Sequence, residues 1–216
     1  SYMVSQAFTE GFYIKPRIDM DLLREHAEGL IALSACLAGE IPRRLLNGDY
    51  DGAKEYALTM RDIFGEDSFY LELQDHGIPD QTEVNRQLLR LHNETGIPLV
   101  CTNDAHYLRR EDAESHDVLL CIQTGKTVDD ANRMRYEPQN FYLRSTEEME
   151  ALFAGYPEAA HRGYVPAGIY VRQIPPAGVP AAGGLRFTLV SAEAVRRGIC
   201  QAVRRQQAGL PQAAGL

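Results

Sequence analysis

Three places in the chain carry residue types able to do metal or acid–base chemistry. Cys36 closes the run Leu30-Ile31-Ala32-Leu33-Ser34-Ala35-Cys36. Asp75 and His76 follow Phe69-Tyr70-Leu71-Glu72-Leu73-Gln74, and Asp104-Ala105-His106 follows Ile97-Pro98-Leu99-Val100-Cys101-Thr102-Asn103. Residues i and i+2 of an extended segment point the same way, so Asp104 and His106 are placed to grip one ion or two neighbouring ions. Zinc accepts carboxylate and imidazole, and a thiolate from Cys36 suits it as well. Ions held in this way would activate a water for attack on a phosphodiester.

Each of these residues also has a plainer reading. An Asp-x-His pair in a loop is by itself a weak signal, and a cysteine in an apolar run is usually a small buried hydrophobe. His76 beside Gly77 suits a turn cap. His26, His92 and His116 fall within helical patterns and read as packed or surface residues, and Cys101 and Cys121 read as core. The metal reading draws its weight from the agreement of three strand ends.

The elements that would position these groups follow from periodicity. Helices are expected over residues 19–27, capped by Asp19, and over 38–46. A longer one begins at Asp49 or Asp51 and carries Ala53, Tyr56, Ala57, Met60 and Phe64 at helical spacing. Pro79 opens a helix to Asn93 with Gly96 as its stop, and residues 110–123 form another. The apolar runs 30–36, 69–73 and 97–102 read as strands. Strands joined by helix-length crossovers are usually parallel, which gives an α/β domain, either a barrel or an open sheet. In such folds the working groups gather at the carboxyl ends of the strands, where Cys36, Asp75, His76, Asp104 and His106 fall.

Composition limits the rest. The 216 residues are 44% hydrophobic, ample for a core, and the net charge of −8 argues against a nucleic-acid clamp. No apolar run is long enough to cross a bilayer and no signal pattern opens the chain, so no membrane partner is expected. The four scattered cysteines, with no CxxC pair, fit a reduced, cytoplasmic protein. The start at Ser1 without Met reads as a fragment or a processed product. From His161 onward the sequence changes character: rich in Ala, Gly, Pro and Arg, it holds seven arginines against one acid, Glu193.

Six ordered blocks of the sequence resemble the polymerase-and-histidinol-phosphatase (PHP) domains of bacterial DNA polymerase III alpha subunits. They are Gly11–Asp19, Gly29–Glu40, Phe69–Gly77, Pro98–Leu108, His116–Gly125 and Phe141–Ser145. The resemblance covers residues 1–159 and implies a distorted seven-stranded β/α barrel with a metal cluster at one mouth. Carried over position by position, Cys36 matches a ligand position and Asp104 and His106 match the last ligand pair. His76 lies near the site in the family pattern and is not assigned as a ligand. The resemblance implies divalent metal, zinc or manganese, in the intact domain, and DNA and other replicase subunits as partners of the parent. It implies either a 3′–5′ exonuclease or a degenerate site that only supports the polymerase.

The departures shape the expectation. The family's opening His-x-His strand would precede Tyr2, and the polymerase palm would follow the PHP domain. The chain is therefore expected to be an incomplete PHP-type barrel over residues 1–159, with an irregular tail over 160–216 and no activity of its own. Arginine outnumbers lysine 19 to 3, which fits a GC-rich source, and the tail is expected to be a frameshift product; a clean in-frame homologue of it would refute this. The other readings are a lineage-specific linker, with a short helix over 192–206 carrying exposed arginines, and, for the whole chain, a stand-alone metal-dependent phosphoesterase or a non-catalytic scaffold.

Overall fold

A computed structural model describes residues 2–156, Ala159 and, at the backbone, 188–191. Local chemistry sets the helix boundaries. Helix α1 spans Tyr2–Thr9 and leads into a tight hairpin of β1 (Phe12–Tyr13) and β2 (Lys15–Pro16). Helix α2 (Met20–Glu25) starts where the Asp19 carboxylate accepts the Leu22 N–H at 2.8 Å, satisfying a backbone donor with no partner inside the helix. Strand β3 (Leu30–Leu33) and helix α3 (Glu40–Leu46) follow. Helix α4 (Tyr50–Phe64) is capped in the same way as α2, with Asp49 accepting from the Gly52 N–H at 3.0 Å.

Strand β4 (Phe69–Leu73) leads to α5 (Pro79–Thr95), which opens on proline and stops at Gly96 in the left-handed conformation, φ 72°. There His92 Nδ1 donates to the Ile97 carbonyl at 2.7 Å and ties the helix exit to the next strand. Strand β5 (Leu99–Cys101) and a 3-10 turn at Arg110–Asp112 precede α6 (Ala113–Thr124). Helix α7 (Thr146–Leu152) is closed at its start by a reciprocal pair: Ser145 accepts the Glu148 N–H, and Glu148 accepts the Ser145 N–H. A further strand, β6 (Thr188–Ser191), lies beyond.

The sheet runs β5-β4-β3-β6. Strands β3, β4 and β5 are parallel, with Leu33 opposite Tyr70 and Leu73 opposite Cys101, while β6 lies antiparallel to β3. The core forms where α4 (Ala53, Ala57, Met60, Phe64) and α5 (Val84, Leu88, Leu91) cover the sheet residues Phe69, Leu71, Leu73 and Leu99. Burial of these apolar faces supplies the main driving force, roughly 1.5–3 kcal/mol for each large side chain taken fully out of water.

The α/β class and the parallel strands match the expectation drawn from the sequence; closure into a barrel is not among the features described. Several boundaries differ, and the strand expected over 97–102 shortens to Leu99–Cys101. The run 30–36 is strand only to Leu33, because Ala35 takes φ 68° and the chain turns, with the Gly39 N–H returning to the Cys36 carbonyl at 2.7 Å. Gly39 is required at this turn: a Cβ there would stand 2.4 Å from the Ser34 carbonyl oxygen. Helix 110–123 divides into the 3-10 turn and α6. Strand β6 was not expected in the Ala/Gly/Pro/Arg-rich segment, and the helix expected over 192–206 lies outside the described residues.

Candidate functional site

The carboxyl ends of β4 and β5 open into two loops, 74–77 and 102–107, held by a third segment, 140–144. The His106 N–H donates to the Phe141 carbonyl at 2.7 Å, and the Leu143 N–H donates to the Tyr107 carbonyl at 3.0 Å. Arg144 grips both loops: its backbone N–H donates to Asn103 Oδ1 and its guanidinium to the Asp75 carbonyl, each at 2.9 Å. The Asn140 side-chain amide donates to the His76 carbonyl at 3.2 Å.

Within this frame Asp104 Oδ1 stands 3.3 Å from His106 Nε2. Two donors on one tetrahedral zinc, with bonds of ~2.0–2.1 Å, stand roughly 3.3 Å apart. The pair therefore has the chemistry and the spacing of two ligands of one ion, and it fits part of the metal cluster that the resemblance implies. His116 and Tyr136 flank His106, with ring centroids at 5.6 and 4.5 Å. Cys36 occupies the turn after β3, half-buried, and lines a small hollow with Glu72, Gln74, Gln81 and Asn85. The expected triad is thus resolved into a tight Asp104–His106 pair and Cys36 in the hollow. Among the described residues no three His, Cys, Asp or Glu side chains cluster closely enough to hold a metal by themselves.

A buried polar network, not expected from the sequence, joins the strand exits. Glu72, buried in β4, receives the Thr102 hydroxyl and the Gln74 amide (2.9 Å) on one carboxyl oxygen, while its backbone N–H donates to Ser34 Oγ at 2.8 Å. Asn85 of α5 donates to the Gln74 carbonyl at 2.9 Å. This network ties the exits of β3, β4 and β5 together. The signal for it was an acid inside an otherwise apolar strand, a residue type almost never buried unless paired.

His76 is fully buried. Its ring lies on Phe141, and Gln81 holds its backbone N–H (2.7 Å) and its Nδ1 (3.1 Å). Burial first, and then the nearby Arg144 cation, push its pKa down to about 4, with Asp104 and Gln81 opposing. It is a neutral imidazole at neutral pH. Burial likewise pushes the Cys101 thiol up to about 12, in keeping with its reading as core.

The chain is an α/β domain with a small parallel sheet, and the PHP domain family matches its residues 1–76. The particular kinship is with DNA polymerase III subunit alpha, and the sequence corresponds to a fragment of that subunit. It is 49% identical over 154 residues to the subunit of Treponema pallidum (strain Nichols), covering 71% of this chain and 13% of that protein. It is 48% identical over 157 residues to those of Borreliella burgdorferi and Thermus aquaticus, covering 73% of this chain and 14% and 12% of those proteins. The chain therefore spans only about one-eighth of the length of the curated relatives it matches. No helix among the described residues is long and apolar enough to cross a membrane.

Proposed function

We propose that this chain contributes PHP-domain structure to a replicative DNA-directed DNA polymerase of the polymerase III alpha type, acting with DNA and the other replicase subunits in the bacterial cytoplasm. Residues 1–159 form the PHP portion, a part of a distorted β/α barrel, and 160–216 form an atypical tail. Asp104 and His106, with Cys36 as the thiolate of the same rim, would hold zinc or manganese. Such an ion, when bound, supplies a Lewis acid and an activated water for phosphodiester hydrolysis in the 3′–5′ direction.

What this chain's own residues do is narrower. Asp104 and His106 present two donors at one point. Phe141 and Arg144 hold the two loops and keep water from the buried His76. The Glu72 network fixes the strand exits that carry both loops. The observation that carries the reading is the 3.3 Å Asp104–His106 pair inside a segment close to half identical to alpha subunits. As an isolated 216-residue polypeptide the chain is proposed to be catalytically silent, because among the described residues no three such donors cluster to hold a metal.

The test is metal analysis of the purified protein together with a nuclease assay on 3′-labelled single-stranded DNA with manganese. Weak, readily chelated metal binding without nuclease activity is the expected result, and Asp104→Asn and His106→Ala each weaken it further. Chelator-sensitive 3′–5′ degradation by the isolated chain would favour the stand-alone phosphoesterase instead. A protein that binds neither zinc nor manganese would leave only the scaffold reading.

A further inference from the structure

A second hollow, of about 40 Å³, lies beside the Asp104–His106 pair, lined by the rings of Tyr107, His116 and Tyr136. His116 and Tyr136 also pack on the ring of His106, at 5.6 and 4.5 Å between centroids, so the hollow shares a wall with the candidate metal ligand. The walls are held in place. The Tyr107 hydroxyl accepts the Phe141 N–H at 3.1 Å, and His116 packs on Tyr107 and Tyr136 at 5.3 and 5.2 Å. Arg133 clamps the segment after α6 back onto that helix, with both of its terminal nitrogens on the Asp117 carboxylate. The buried Ala113 and Leu120 supply an apolar part of the lining.

The chemistry of this lining selects among ligands. Each guanidinium here already faces a carboxylate: Arg133 faces Asp117, and Arg135 stands 3.6 Å from Glu137. A phosphate would meet both carboxylates and find neither arginine uncommitted. Aromatic rings, an apolar floor and a rim of mixed donors and acceptors (Arg135, Glu137, Gln139) suit a flat, neutral heterocycle instead. The volume is room for roughly three waters, which matches the edge of one base and not a whole nucleotide. We propose that the hollow seats the base of the 3′-terminal nucleotide of single-stranded DNA whose last phosphodiester is presented to Asp104 and His106. The inference rests on reading that pair as the hydrolytic site, but its test needs neither metal nor cleavage.

The experiment is photocrosslinking of the full chain, in chelator, to single-stranded oligonucleotides carrying 5-iododeoxyuridine at the 3′ end or, separately, at the 5′ end. Crosslinks are mapped by peptide mass spectrometry. The 3′ probe is expected to mark Tyr107, His116 or Tyr136, and the 5′ probe to leave them unmarked. Thymidine is expected to compete with the 3′ probe, and inorganic phosphate at the same ionic strength is not. Tyr136→Leu is expected to weaken binding of the 3′ probe by at least about fivefold, the low end for one base–aromatic stack. Tyr13→Leu, which removes an exposed ring on the hairpin, should leave it unchanged. Crosslinks confined to other residues, no crosslinks at all, equal marking by the 5′ probe, or competition by phosphate as strong as by thymidine would each overturn the proposal. All four are read on the wild type, so they decide even if Tyr136→Leu fails to fold. A chain that binds neither zinc nor manganese yet shows the 3′-end pattern would overturn the metal reading alone and leave the base subsite standing.

Discussion

The imidazole of His76 lies flat against the ring of Phe141, with centroids 4.3 Å apart and planes within 7° of parallel. The same phenylalanine meets His106 edge-on at 5.5 Å, so one side chain from the 140–144 segment contacts a histidine from each of the two strand-exit loops. Phe141 is itself almost fully buried. Phe141→Ala is expected to destabilise the protein by about 3–5 kcal/mol, the usual cost of emptying a buried aromatic position. It also opens His76 to water, so the ring's pKa should rise from about 4 towards the ordinary histidine value. Urea melts read the first effect and a histidine NMR titration the second. A stable variant with an unmoved His76 would mean that Phe141 does not seal the site.

Stability should also depend on pH through His76. Its ordinary value is 6.5, and the folded chain holds it near 4. Between these values the unfolded chain binds a proton that the folded chain refuses, so stability rises with pH across the window. The contribution is complete above about pH 6.5, is lost as pH falls towards 4, and amounts to roughly 3 kcal/mol. His76→Phe keeps a ring against Phe141 and removes the titration. Urea midpoints measured from pH 4.5 to 7.5 should rise more steeply in the wild type than in the variant. Parallel slopes would assign the pH dependence to other groups.

Much of this fold follows from local chemistry. Asp19, Asp49, Pro79 and Gly96 mark helix ends because caps act within three residues, and all four do so here. Asp104 and His106 do come within 3.3 Å of each other, but not as the extended segment that was expected: β5 ends at Cys101 and the Ala105 N–H turns back to the Asn103 carbonyl at 2.8 Å. The contacts that complete the site bridge long separations. Phe141 reaches His76, Arg144 reaches Asp75, and Thr102 reaches Glu72 only after the chain has folded, and no local pattern encodes such meetings. Strand β3 stops short because Ala35 adopts φ 68°, a conformation that a residue with a Cβ rarely takes and that nothing in an apolar run announces. Strand β6 was hidden by the composition around it, which lacks the alternation that marks a half-buried strand.

The Glu72 network gives a sharp test of hydrogen bonding against packing. The Thr102 hydroxyl donates to Glu72 Oε1, and both residues are buried. Thr102→Val preserves shape and removes the donor, and is expected to cost about 1–3 kcal/mol by leaving the carboxyl short of a partner. Thr102→Ser keeps the hydroxyl and loses a methyl, so it should cost less, on the order of 1 kcal/mol. Thermal melts of the two variants decide. If valine is tolerated better than serine, the methyl matters more than the bond.

Cysteine reactivity separates the roles of the thiols. Cys101 is buried with its pKa pushed up to about 12, so at pH 8 only about one part in ten thousand is thiolate, the reactive form. Cys121 is buried too, whereas Cys36 sits half-buried on the turn after β3. Iodoacetamide at pH 8, followed by peptide mass spectrometry, should therefore modify Cys36 well before Cys101 or Cys121. If Cys36 belongs to the same metal-bearing rim as Asp104 and His106, zinc should slow its alkylation, because a coordinated thiolate has committed its lone pair. Asp104→Asn together with His106→Ala should abolish that protection while leaving the metal-free rate of Cys36 unchanged. Zinc protection that survives the double substitution would mean Cys36 binds metal independently of the pair. No protection in any form would confine the candidate site to Asp104 and His106.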